Sequence, residues 1–155
     1  MGLDMYLYRK SYVHSGDYYN SEQKEEIQMT RGGKEVDTSK IRFIIEEVGY
    51  WRKANHIHKW FVDNVQKGTD DCGEYKVEED QLANLLETCK EILEDGNKAP
   101  ELLPTTSGFF FGATDYNEYY FDDIQNTVDI IESLFETDLD GGSYLKGDIY
   151  YSSSW

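Results

Sequence analysis

The chain predicts a single α+β domain, in which three main helices pack on a small, mainly antiparallel sheet that includes both terminal strands. Three observations lead there. Residues 3–12 and 148–155 both read as strands, the first with Leu3, Met5 and Leu7 on alternate positions. Three stretches between them carry helix-period apolar faces. Strands gathered at the two ends, instead of alternating with helices, exclude a regular α/β order. With 155 residues, the chain can bury roughly 70% of its unfolded surface without a second domain.

Each element has its own signal. In residues 3–12, Asp4 and Tyr6 point away from the apolar face. A polar, Tyr-rich loop follows over residues 14–24, and Arg31-Gly32-Gly33-Lys34 suits a hairpin turn between short segments. Ile41, Ile44, Val48, Trp51, Asn55, His58, Val62 and Val65 recur at spacings of three and four, which predicts one long helix. Asp37, Thr38 or Ser39 would cap its start and Gly68 its end, with Gly49 a point where it can bend or split. A turn at residues 69–73 and a short strand at 74–77 come next. The second helix begins near Glu78; Leu82, Leu85, Leu86, Cys89, Ile92 and Leu93 form its apolar face and Gly96 stops it. Pro100 and Pro104 mark a connection, and the Gly108–Gly112 run GFFFG reads as a buried strand. A third helix spans about Asp115 to Glu136, followed by a turn at Gly141-Gly142 and the last strand.

Charge is the most informative feature of the composition. The formal net charge is −16, and it is lopsided: residues 1–76 hold 13 acidic against 12 basic side chains, residues 77–155 hold 18 against 3. No Lys or Arg occurs from Ala99 to Leu145. Direct nucleic-acid binding is disfavoured, because phosphate contacts need cations, and a basic protein partner is favoured. No apolar run is long enough for a membrane span, and residues 1–10 lack the pattern of a signal peptide. A cytoplasmic protein is the expectation, with its two cysteines kept as thiols. The 13 tyrosines, each with an apolar body and a polar tip, suit recognition surfaces.

The opening MGLDMYL, the central YWRKANHIHKWFVDNVQKGTDDCGEY and the later LLPTTSGFFFGATDYNEYY together resemble a family of small proteins encoded by bacteriophages and prophages. The resemblance covers most of the chain. It implies a setting, the bacterial host cytoplasm during infection; it brings no assigned activity and transfers no catalytic residue.

The chemistry-bearing residues are few. His56 and His58, two apart on a helix, project about 200° from each other and cannot share one metal ion. His58 lies on the apolar stripe, which predicts a buried, hydrogen-bonded side chain; His56, among Arg52, Lys53 and Lys59, is expected to be solvated in a basic cluster. Cys72 is surrounded by Asp70, Asp71 and Glu74, whose charge disfavours a thiolate. Residues 136–141 imitate the first half of a calcium loop, but Gly147 stands where the bidentate Glu belongs. No phosphate loop, nucleophile elbow or zinc motif is present, so no catalytic residue, metal or cofactor is assigned.

The third helix carries the sharpest pattern. Asp115, Glu118, Asp122, Asp129, Glu132 and Glu136 form one acidic stripe, opposite an apolar one of Phe121, Ile124, Val128, Ile131 and Phe135. Two function classes follow. The first is an acidic interaction protein that binds a basic host protein, including as a nucleic-acid mimic that inhibits a defence or regulatory factor. The second is a small enzyme or ligand-binding protein whose site combines Trp51, Arg52, Asn55 and His56 with the loop Asp70-Asp71-Cys72. The quantitative charge asymmetry favours the first.

Overall fold

The computed structural model describes residues 2–16, 20 and 22–155. Of the Tyr-rich loop expected over residues 14–24, Asp17, Tyr18, Tyr19 and Ser21 lie outside the described residues. Strand β1 (Asp4–Tyr12) is followed by a small hairpin, β2 (Thr30–Arg31) and β3 (Lys34–Glu35), turned by Gly32 and Gly33 at φ 56° and 78°. Strand β4 (Phe43–Arg52) leads into helix α1 (Asn55–Asn64). Strand β5 (Glu74–Val77), helix α2 (Glu79–Glu94), a 3-10 turn at Gly96–Lys98 and the short α3 (Ala99–Leu102) follow. Helix α4 (Glu118–Leu134) runs into a hairpin of β6 (Phe135–Thr137) and β7 (Ser143–Leu145), and β8 (Asp148–Ser154) closes the order.

The central sheet is antiparallel throughout, in the order β4-β1-β8-β5, and strands near both termini take part, as the end patterns predict. Period-two alternation decides what each strand contributes. Met5 and Leu7 from β1, Trp51 from β4, Val77 from β5, and Ile149 and Tyr151 from β8 point to one face and are buried. Against them pack Ile57 and Phe61 of α1, Leu82, Leu85, Cys89 and Ile92 of α2, and Ile124, Val128 and Ile131 of α4, in one continuous cluster. Phe61 stacks on Tyr151 at 3.9 Å between ring centroids. The other face holds no buried residue: Tyr6 stacks on Tyr8 at 5.8 Å and leans on Tyr50 at 5.4 Å, beside the half-buried Tyr150.

The expected helix over residues 41–68 is corrected by the structure: its first half is strand β4 and only its second half is helix. Ile44, Ile45 and Val48 are β-branched, stiff at χ1 and at home in a strand, and β1 pairs with nine of the ten residues of β4 in a ladder that a helix would forgo. Val48 bulges where the register steps from Leu7 opposite Gly49 to Tyr8 opposite Glu47. Beyond that bulge the stripe leaves the core, with Phe43 51%, Ile44 37% and Ile45 65% exposed. Gly49 serves close packing: a Cβ there would stand 2.8 Å from Ile130 Cγ2 and 3.3 Å from Leu7 Cβ. Lys53, at φ 58°, turns the corner into α1.

A second correction concerns GFFFG. It forms a turn, not a buried strand, with Phe109 94% exposed; the segment joins none of the sheets, Phe111 N–H closes onto Gly108 O at 3.1 Å, and Phe110 O accepts from Leu3 N–H at 3.0 Å just before β1. The expected second and third helices are found as α2 and α4. A capping box of Glu78 and Gln81 opens α2, and Asn117 caps α4 by accepting from Tyr120 N–H at 3.3 Å.

Candidate functional site

The corner Arg52-Lys53 forms one wall of a cavity of about 310 Å³. Its other walls are the residues that open α1 (Asn55, His56), the loop through Thr105, Gly112 and Asp115, and the first turns of α4 with Tyr119, Tyr120, Asp122 and Asp123. Asn55 holds this arrangement together. It is 1% exposed, donates from Nδ2 to Phe111 O (2.9 Å) and Ala113 O (2.8 Å), and accepts at Oδ1 from Thr106 N–H (2.9 Å). One amide thus saturates three backbone groups of a loop without regular structure, which a buried connection requires. Gly112, at φ 81°, lies where a Cβ would meet Lys53 Cβ at 3.1 Å.

His56 is 3% exposed, so its expected solvation is corrected. Its ring lies 4.1 Å from that of Tyr120, and its Nε2 has no hydrogen-bond partner. Burial disfavours the imidazolium and lowers its pKa to about 3. Across the same cavity Asp123 is half-buried; burial, then the neighbouring charge of Asp122, raises its carboxyl to about 6. Tyr120 donates its hydroxyl to Leu103 O at 2.8 Å, and burial raises its pKa.

His58 faces the other side of α1, as a two-residue offset requires. It is 1% exposed: Nε2 lies 3.0 Å from Asp70 Oδ2 and Nδ1 2.6 Å from the Tyr151 hydroxyl. A carboxylate accepts, so Nε2–H is the donor toward Asp70, and Nδ1 is left to accept from the Tyr151 hydroxyl. Asp70 Oδ1 also accepts from Trp155 Nε1 at 3.0 Å, which ties the end of β8 to the loop after α1. The Tyr151 hydroxyl is held in its protonated form, first by burial and then by the Asp70 charge.

The ligand site expected from the sequence is therefore divided. Arg52, Asn55 and His56 share the cavity. Trp51 points into the core instead, donating from Nε1 to Thr127 Oγ1 at 2.9 Å, and Asp70 serves His58. Asp71 accepts from Gly73 N–H (2.9 Å) and from the Tyr75 hydroxyl (2.8 Å), and the exposed Cys72 sits between them at φ 55°. Among the described residues, no three His, Cys, Asp or Glu side chains come together as a metal ion would need. Lys53 belongs to the basic cluster expected from the sequence, whereas Asp123 and Tyr120 were not expected at a site. One signal was present: Asp123 follows Tyr120 by three and precedes Thr127 by four, which places it beside the buried face of α4.

The acidic stripe is exposed at all six positions. Glu118, Asp122, Asp129 and Glu132 lie on α4, whereas Asp115 precedes the helix and Glu136 is in β6, so helical spacing aligns only the middle four and the expected six-residue stripe is corrected at both ends. Other elements supply some cations: Lys90 of α2 reaches Glu132 at 2.9 Å and Lys146 approaches Glu136 at 3.8 Å.

No protein-family model matches the chain, and neither the curated proteins nor the solved structures compared with it give a match. The site therefore has to be read from its own geometry. Among the described residues, no helix is long and apolar enough to cross a membrane.

Proposed function

We propose that the protein is an acidic interaction module that binds a basic host protein in the bacterial cytoplasm, with the carboxylates along α4 imitating the charge spacing of a nucleic acid and so inhibiting a nucleic-acid-binding defence or regulatory factor. The observation that carries the reading is the exposure of Asp115, Glu118, Asp122, Asp129, Glu132 and Glu136 along one side of α4 and its flanks. Pairs three or four apart on such a face stand about 5–6 Å from each other, less than the roughly 8 Å Debye length at physiological salt, and the seven-residue step from Asp122 to Asp129 is about 10 Å, so a partner meets two close clusters of charge on one helix. Asp115, Glu118, Asp122 and Asp129 have no ion pair among the described residues, and their charge is available to a partner.

The test has two stages. Affinity capture from infected cells identifies a basic partner, and stopped-flow mixing then compares the wild type with a variant carrying Asp122→Asn, Asp129→Asn and Glu132→Gln. Electrostatic steering predicts slower association for the variant at low salt and convergence of the two rates at high salt. Equal rates at both salt concentrations would reduce the stripe to a solvated face.

A further inference from the structure

The cavity beside Lys53 holds two sets of opposite charge that do not neutralise each other. Arg52 and Lys53 stand at one side, Asp115, Asp122 and Asp123 at the other, and among the described residues no ion pair within 4.0 Å joins the two sets. Arg52 lies 3.7 Å from Asp4, with its side chain 55% exposed, and beside the Tyr50 hydroxyl, while among the described residues Lys53 has no ion pair. Charges facing one small cavity normally pair across it or are drawn together by a ligand. Here they do not pair.

Two further features give the cavity polarity. Helix α1 starts at its wall with Ala54 as N-cap, which provides no side-chain acceptor, and the first turn has no acidic residue. The positive end of the helix dipole is thus left to whatever occupies the cavity next to Arg52 and Lys53. His56, in that first turn, is buried and its Nε2 is without a partner, an uncommon condition for a polar atom so enclosed. The opposite wall offers the half-buried Asp123 with the ring of Tyr119 nearby, a setting suited to an ammonium group. About 310 Å³ lies at the lower end of the range for small-molecule sites, too small for a nucleotide spread along it and ample for a compact metabolite.

We infer that this cavity binds a zwitterionic small molecule of the free α-amino-acid class, its carboxylate held by Arg52, Lys53 and the start of α1, and its ammonium by Asp122 and Asp123. Nucleic acids and simple anions are repelled by the carboxylate wall, and simple cations by the opposite one. Only a ligand carrying both charges a few ångströms apart satisfies both. Asp115 and Asp122 belong both to this cavity and to the exposed stripe, so the test that separates the two readings turns on Asp123 and Lys53, which are not part of the stripe.

The test is isothermal titration of the full chain at low salt with a panel of free L-amino acids, each beside its Nα-acetyl and its carboxamide derivative. At least one free amino acid should bind, and both blocked forms of it should bind about tenfold more weakly or not at all. Asp123→Asn and Lys53→Asn should each weaken the free form by about tenfold or more; asparagine tolerates the left-handed backbone at position 53. Absence of binding by every free amino acid would overturn the inference, as would a blocked derivative that binds as well as its parent.

Discussion

Burial acts in opposite senses on His56 and Asp123, and so gives them opposite pH dependences. His56 titrates near 3 in the folded chain against 6.5 ordinarily, so between those values the unfolded chain gains a proton that the folded chain refuses. Its contribution to stability is full above about 6.5 and is lost as pH falls toward 3. Asp123 is raised from 3.8 to about 6, so the folded chain keeps a proton that the unfolded chain releases. That contribution is full below 3.8 and is lost as pH rises through 6. His56→Phe, which preserves a ring against Tyr120, should therefore flatten the acid side of a melting-temperature profile. Asp123→Asn should raise the melting temperature near pH 8 and leave it almost unchanged near pH 3.5, and equal effects at both would contradict a half-buried carboxyl whose protonation changes between those values. At Tyr151, removing the hydroxyl leaves His58 Nδ1 buried without a donor, so Tyr151→Phe should cost about 1–3 kcal/mol in urea unfolding. Trp51→Ala removes the largest fully buried side chain and should cost about 3–5 kcal/mol; less than about 1 would show that the indole is not packed.

At the scale of elements, α4 crosses β4 where Gly49 leaves room for Ile130. Gly49→Ala should destabilise by about 1–3 kcal/mol through overpacking. Combined with Ile130→Ala the two losses should sum to less than their separate values, because the second change removes the clashing Cγ2; strict additivity would mean that the helix and strand are not in contact there. This same strand shows where sequence reading stops. Ile41, Ile44, Val48 and Trp51 satisfy a helical spacing, yet Phe43-Ile44-Ile45 is equally a strand, and short apolar runs do not distinguish the two by period. What decided the matter was β1, more than thirty residues earlier in the chain. Helices α2 and α4 were legible because each buries one long face and leaves the other wet, a pattern carried wholly within the element. The two histidines divide in the same way. His58 declared itself as a polar residue on an apolar stripe, whereas His56 is enclosed by Tyr120 and a loop that lie some fifty to sixty residues later, beyond any local signal.

For the whole molecule, a net charge of −16 on 155 residues means that the folded state works against its own repulsion. Raising salt from a few millimolar to about 0.15 M shortens the screening length to roughly 8 Å, so the thermal midpoint should rise; a fall would show that local pairs such as Arg9–Glu46, at 2.9 Å, outweigh the global term. The position of β8 has another consequence. It lies between β1 and β5 in the sheet, although it is made last of the four strands. On the ribosome, β1 and β4 can join early, but the edge of β1 that carries the ladder to β8 stays open until residues 148–154 emerge. At roughly 5–20 residues per second that delay is on the order of ten seconds. For that interval the nascent chain displays an unfinished sheet edge next to Leu3, Met5 and Leu7, which makes it a client for chaperones during translation and ties its yield to the speed of its own synthesis.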